Sequence, residues 1–152
     1  MNVFDVELVL FWWKSLDKDS GGRARLRRAR GLTEIAFIEA YHRLYEQVNN
    51  VDGGIDKEKI AIIAGLCTHV KENRRGKIAE QMAEGGDKPR VSKLRFRRIL
   101  AISDREKLFH AMIRIIQMLG GSVDICDLSK VVYFWNENTK KQLAFDYYSK
   151  VK

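Results

Sequence analysis

A chain of 152 residues, 45% of them hydrophobic and including three Trp, five Tyr and seven Phe, can bury a core. It is neither a disordered basic tail nor a disulfide scaffold built on its two cysteines. Its 28 basic and 20 acidic residues give a net charge of +8, and the excess is unevenly placed.

In chain order, the first helix is expected from about Val3 to Leu16 and is apolar around most of its circumference. Phe4, Leu8, Phe11 and Trp12 mark one face, while Val6, Val9, Leu10 and Trp13 spread onto another. Such a helix is either central in the fold or buries its second face against another subunit. Its apolar stretch, Val6 to Trp13, is too short to span a bilayer, and Asp5 and Glu7 flank or interrupt it, unlike a secretory signal. With two isolated cysteines, a reducing, cytoplasmic setting away from membranes is expected.

Glycine pairs at Gly21-Gly22, Gly53-Gly54, Gly85-Gly86 and Gly120-Gly121 divide the remainder into segments of helix length. Apolar stripes at three- and four-residue spacing follow. They are Ile35, Ile38, Tyr41, Leu44, Tyr45 and Val48, then Leu108, Met112, Ile115, Ile116 and Leu119, then Leu128, Val131, Val132 and Trp135. Asp104 and Asp124 stand where N-caps are needed. No sustained alternation of two appears. The expected fold is all-α, a bundle of about eight to nine helices in two small lobes. The stretch GGDKPR (Gly85 to Arg90), with the only proline, marks the boundary between an N-terminal lobe of residues 1–86 and a C-terminal lobe of residues 90–152.

No catalytic constellation is legible. His42, His69 and His110 lie in different segments, Cys67 and Cys126 fall on apolar faces, and no phosphate-cradling or nucleophile-elbow motif occurs. Neither an enzyme nor a metal or other cofactor is expected.

The charge carries more. Arg23 to Arg30 reads RARLRRAR, with five arginines and no acid, and Lys88 to Arg98 reads KPRVSKLRFRR, with six basic residues and no acid. Without these eleven the chain has 17 basic residues against 20 acidic ones, so its basicity sits in two blocks. Segregated arginine is the footprint of a polyanion, and the planar fork of arginine suits bidentate contact with phosphate. Along the second block Leu94, Phe96, Ile99 and Leu100 supply buried surface, Lys93 and Arg97 share one face, and Arg95 and Arg98 share the next. Arg105, Arg114, Lys140 and Lys141 extend the stripe. Most aromatics sit at core spacing, which argues against base stacking. Ala61 and Gly65 have helix-turn-helix spacing, but Lys71 and Arg74 stand where a recognition helix needs apolar anchors. The blocks therefore read as sequence-independent backbone binding. Two other readings stand beside it: a scaffold whose arginines bind acidic protein faces, and a free-standing DNA-binding regulator.

WWKSLDKDSGGRARLRRAR (Trp12 to Arg30), FIEAYHRLY (Phe37 to Tyr45), IAGLCTHVKEN (Ile63 to Asn73) and VSKLRFRRILAISDREKL (Val91 to Leu108) occur in that order. LGG (Leu119 to Gly121), FW (Phe134, Trp135) and FDYY (Phe145 to Tyr148) follow. This ordered set resembles the CasB family, the small subunit of the type I-E CRISPR surveillance complex Cascade. The resemblance implies an all-α, non-enzymatic protein in two helical lobes. It further implies two copies per complex, a possible homodimer, lying among other Cascade subunits and holding the hybrid of crRNA with target DNA and the displaced non-target strand. Carried over by motif, Arg27, Arg28, Arg97, Arg98, Arg105, Arg114, Lys140 and Lys141 are the expected nucleic-acid-binding residues. Asn138 and Thr139 depart from a segment that is often basic in the family.

Overall fold

The computed structural model describes residues 4–151; Val3, expected to open the first helix, and Lys152, the last residue of the expected C-terminal lobe, lie outside the described residues. Helix α1 (Val6–Ser15) starts at Asp5, whose carboxylate accepts a hydrogen bond from the Glu7 amide at 3.1 Å. It runs into a 3₁₀ turn (Leu16–Lys18). Its buried line is Val6, Val9, Trp12 and Leu16, and the Trp12 indole donates to the Ala40 carbonyl at 3.0 Å. Phe11, expected on a packed face, is 63% exposed because that line turns it outward. Helix α2 (Ser20–Arg28) begins at Asp19, whose carboxylate accepts from the Gly22 amide. Gly21-Gly22 is thus the first turn of this helix and not a break before it.

The stripe from Ile35 to Val48 is split between α3 (Leu32–Ile35) and α4 (Glu39–Asp52). Helix α5 (Lys57–Cys67) holds the central position, with every residue from Ile60 to Thr68 buried. It packs on α2, α3, α4, α8 (Arg105–Met118) and α9 (Ile125–Tyr133). Gly65 permits the closest approach, since a Cβ there would lie 2.6 Å from Phe109 Cε1 and 2.8 Å from Ile35 Cδ1. The elements left are α6 (Ile78–Ala83), α7 (Lys93–Leu100) and α10 (Glu137–Tyr148). A two-residue parallel pair, β1 (Glu72–Asn73) with β2 (Ser122–Val123), is too short to leave a period in the sequence.

The fold is all-α, with ten α-helices among the described residues. The short α3 and α6 take the number above the eight to nine expected, because four- and six-residue helices carry no full stripe. Asp104 and Asp124 are the N-caps of α8 and α9. The Gly85 to Arg90 stretch is a surface turn in which Gly85 and Gly86 take φ of +116° and +65°. Packing of α9 on α1 and α5, of α8 on α5 and of α10 on α6 joins the segments on either side of it in one cluster of buried side chains. No helix among the described residues is long and apolar enough to cross a membrane.

Candidate nucleic-acid interface

Ser92 caps α7 by accepting from the Arg95 amide, and Phe96 and Ile99 bury its inner face. Leu94, expected inside, is 48% exposed because it lies opposite Phe96 on the helix. The Phe96 ring stacks on Tyr147 of α10 with centroids 3.9 Å apart, and the Tyr147 hydroxyl donates to the Val91 carbonyl at 2.6 Å. The turn between α7 and α8 is held by the α9–α10 connection and by α10: the Ile102 carbonyl accepts from Trp135 Nε1 at 2.8 Å and from Lys140 Nζ at 3.1 Å. Lys140 also lies 5.2 Å from the centroid of the Trp135 ring. The pose of the basic helix α7 is thereby fixed by aromatic and carbonyl contacts and not by its own charges.

Between α7 and α8 lies a groove of about 290 Å³ floored by Ile99, Ile102, Ala111 and Ile115, with Arg95, Arg98 and Arg114 along it. Arg95 Nη1 rests 3.7 Å from Met118 Sδ, which keeps that guanidinium against α8. Arg97 is exposed on the adjoining face of α7. None of these four arginines has an acidic partner among the described residues. Three guanidinium groups over an apolar floor repel one another and lack a counter-charge among the described residues, so a bound polyanion is the chemical complement.

The other expected residues divide. Arg28 and Lys141 are exposed and unpaired among the described residues. Arg27 Nη1 donates to the Thr68 carbonyl at 3.2 Å, placing a cation at the C-terminus of α5. Arg105 bridges Asp56, at 3.0 Å, and Glu58 in the first turn of α5. Burial pushes the Asp56 carboxyl up, but the Lys59 amide and the Arg105 guanidinium outweigh it and hold the group below its ordinary value. Lys140 is engaged at Ile102 as described. Arg27, Arg105 and Lys140 thus have local roles, whereas Arg28, Arg97, Arg98, Arg114 and Lys141 have no acidic partner among the described residues. Arg95 was legible only as a partner of Arg98 three residues on; its place in the groove depends on Met118, which no local spacing reveals. A second concavity gathers Lys18, Arg25 and Arg43 beside Asp19 and Glu39, and there Arg43 is paired with Asp19.

No group of three or more His, Cys, Asp or Glu able to hold a metal ion occurs among the described residues. His42 contacts the Ala36 carbonyl, His110 lies 3.7 Å from Glu106, and both His69 ring nitrogens are buried without a hydrogen-bond partner among the described residues. Burial pushes the Cys67 thiol far up, and burial together with Glu7 pushes Cys126 up to about 11, so neither is a ready thiolate.

The family of CRISPR-associated protein Cse2 (CRISPR_cse2) matches residues 22–148. No curated protein matches the chain by sequence. Among solved structures, the chain is similar to one in the crystal structure of E. coli Cascade bound to a PAM-containing dsDNA target (32-nt spacer). The TM-score is 0.75 at 18% identity, over 97% of each chain. It is also similar to CasB from Thermus thermophilus, with a TM-score of 0.72 at 19% identity, over 97% of this chain and 99% of that one. At such identities these likenesses speak to the fold, and they agree with the all-α architecture described above. The match across residues 22–148 carries the assignment: the chain belongs to the CRISPR-associated Cse2 (CasB) family.

Proposed function

We propose that this protein is a non-catalytic subunit of a Cascade-type, RNA-guided CRISPR complex that grips nucleic-acid backbones without reading their sequence. Its family, and the dsDNA-bound Cascade structure containing a chain of the same fold, support the setting. The observation that carries the mechanism is the line of unpaired arginines, Arg95, Arg98 and Arg114, in one groove, with Arg97 beside them.

The energetics suit the role. Exchanging a DNA duplex for an RNA–DNA hybrid is nearly balanced in base-pairing energy, so a surface that holds phosphates can tip it. Arginines pointing at backbone oxygens position a strand but carry no sequence information. The gripped partners are the crRNA–target hybrid and the displaced strand, with a second copy of the chain continuing the surface. Arg28 and Lys141 extend it from other elements; Arg27, Arg105 and Lys140 join only where they can leave their present partners.

The test uses the assembled complex. Complex assembled with the Arg97→Glu/Arg98→Glu protein should open target DNA more slowly and lose the open state faster than complex with wild type, by about tenfold or more for two reversed phosphate contacts. Equal R-loop lifetimes with both proteins would remove the gripping role. Loss of the mutant subunit from the complex would instead favour the scaffold reading, in which these arginines bind acidic protein faces.

A further inference from the structure

Helix α10 leaves an aromatic face uncovered. Phe145 is 73% exposed and Tyr148 46% exposed, and with Lys141 and Ala144 they line a shallow groove. The spacing 141, 144, 145 and 148 puts all four on one side of the helix. The other side of α10 is seated by Leu143 and Tyr147, both buried, so the largely exposed Phe145 ring lies outside the core. Tyr148 meets the Phe96 ring edge-on at 5.5 Å, so the aromatic face abuts α7. Lys93 and Arg97 lie beside Phe96 on α7, three residues before and one after it, and neither has an acidic partner among the described residues. Of the acids on α10, Asp146 is engaged by Lys77 at 3.5 Å and Gln142 at 3.0 Å. Glu137 stands a turn before Lys141 at the helix N-terminus, where the dipole favours a negative charge.

Uncovered rings interleaved with unpaired cations have two complementary needs, a flat apolar ligand and a negative one. A single strand meets both, its bases stacking on the rings while its phosphates follow the cations. A duplex hides its base faces inside. An apolar protein surface would leave Lys141, Lys93 and Arg97 without counter-charge.

We propose that the Phe145–Tyr148 face of α10 is a stacking platform for unpaired bases, which binds single-stranded nucleic acid with its backbone against Lys141 and the cations of α7. This rests on the reading of the protein as a backbone-gripping subunit and adds an aromatic site for the unpaired strand. It departs from the expectation that core spacing of most aromatics argues against base stacking, because Phe145 and Tyr148 are among the exposed ones.

The test compares binding of a fluorescent oligothymidine and of a duplex by wild type, Phe145→Ala and Phe145→Ala/Tyr148→Ala, with melting curves to confirm folding. Phe145 makes no packed contact that a fold would miss, so the single variant keeps the test decisive. Single-strand affinity should fall about fivefold or more for one lost stack and further for two, while duplex affinity stays within about twofold. A Phe145→Trp protein should show additional indole emission that oligothymidine quenches and duplex does not. Unchanged single-strand affinity in a wild type that does bind would overturn the platform and leave backbone gripping intact. Failure of wild type to bind any nucleic acid at low salt would remove both. Loss of self-association in sedimentation, with single-strand affinity retained, would assign the face to a second copy of this chain and overturn the proposal.

Discussion

Tyr147 is the peg that ties the last helix to the basic helix, and replacing it by Phe isolates one bond. The hydroxyl donates to the Val91 carbonyl at 2.6 Å; both residues are 0% exposed, and burial raises the phenol pKa further, so it stays a donor at ordinary pH. Tyr147→Phe keeps the ring and its stack on Phe96 but leaves a buried carbonyl without that donor. Such a group costs about 1–3 kcal/mol. A chain of this length loses about 2–4 °C of Tm per kcal/mol, so the expected fall is about 2–12 °C. Tyr147→Ala also removes the stacked ring and leaves a cavity, for about 3–5 kcal/mol. Differential scanning calorimetry reads both. The two variants should also differ in binding: Phe should keep nucleic-acid affinity, because α7 stays seated through Phe96, and Ala should weaken it as α7 loosens. A Tyr147→Phe protein that melts with wild type would show that water or a neighbour satisfies Val91 and that the peg is not structural. An Ala protein with full affinity would show that α10 does not position α7.

Three further outcomes are expected. Arg114→Glu should weaken DNA binding by about tenfold, whereas Arg105→Gln, which breaks half-exposed pairs with Asp56 and Glu58, should cost at most about 1 kcal/mol of stability and change affinity less; the reverse order would move the interface to Arg105. Burial first, and then Arg27, holds the His69 pKa below its ordinary value, so the neutral ring is the folded form. Its stabilising effect is complete above about pH 6.5 and is lost as pH falls from there through the lowered folded value; a denaturation series from pH 7.5 to 5 should show this loss, and His69→Leu should remove it. If parallel pH profiles emerge, the ring is not desolvated. Cleavage within the turn from Gly85 to Arg90 should leave two fragments that stay associated and melt together, since α9 packs on α1 and α5 across it; two separate transitions would instead show independent lobes.

What the sequence disclosed depended on the range of the physics. Stripes on α8 and α9 extend over enough turns to be read, and the N-caps Asp104 and Asp124 act within three residues, so both were legible. Phe11 and Leu94 misled because an apolar residue flanking a stripe looks like part of it until a partner fixes the helix rotation. Gly21-Gly22 looked like a break because a glycine pair in a helical first turn, capped by Asp19, has the same letters as a linker. At the interface, the dense positive charge around Arg97 and Arg98 was legible because no acid lies within the block from Lys88 to Arg98. The pairing of Arg105 with Asp56, 49 residues away, and the anchoring of Lys140 at Ile102, 38 residues away, were not. Charge density survives in a sequence; charge neutralisation is a long-range fact.

The most direct test of backbone gripping is a salt titration of binding to single-stranded DNA, duplex DNA and an RNA–DNA hybrid, with wild type and Arg97→Glu/Arg98→Glu side by side. With about five phosphates neutralised, duplex affinity should fall with a log–log salt slope of about −4 to −5. It should do so whatever the sequence, and the reversal should flatten the slope by about two while leaving the Tm nearly unchanged, because exposed charges contribute little to folding. A flat slope in wild type, sequence-selective duplex binding, or a reversal that unfolds the protein or leaves binding untouched would contradict the account.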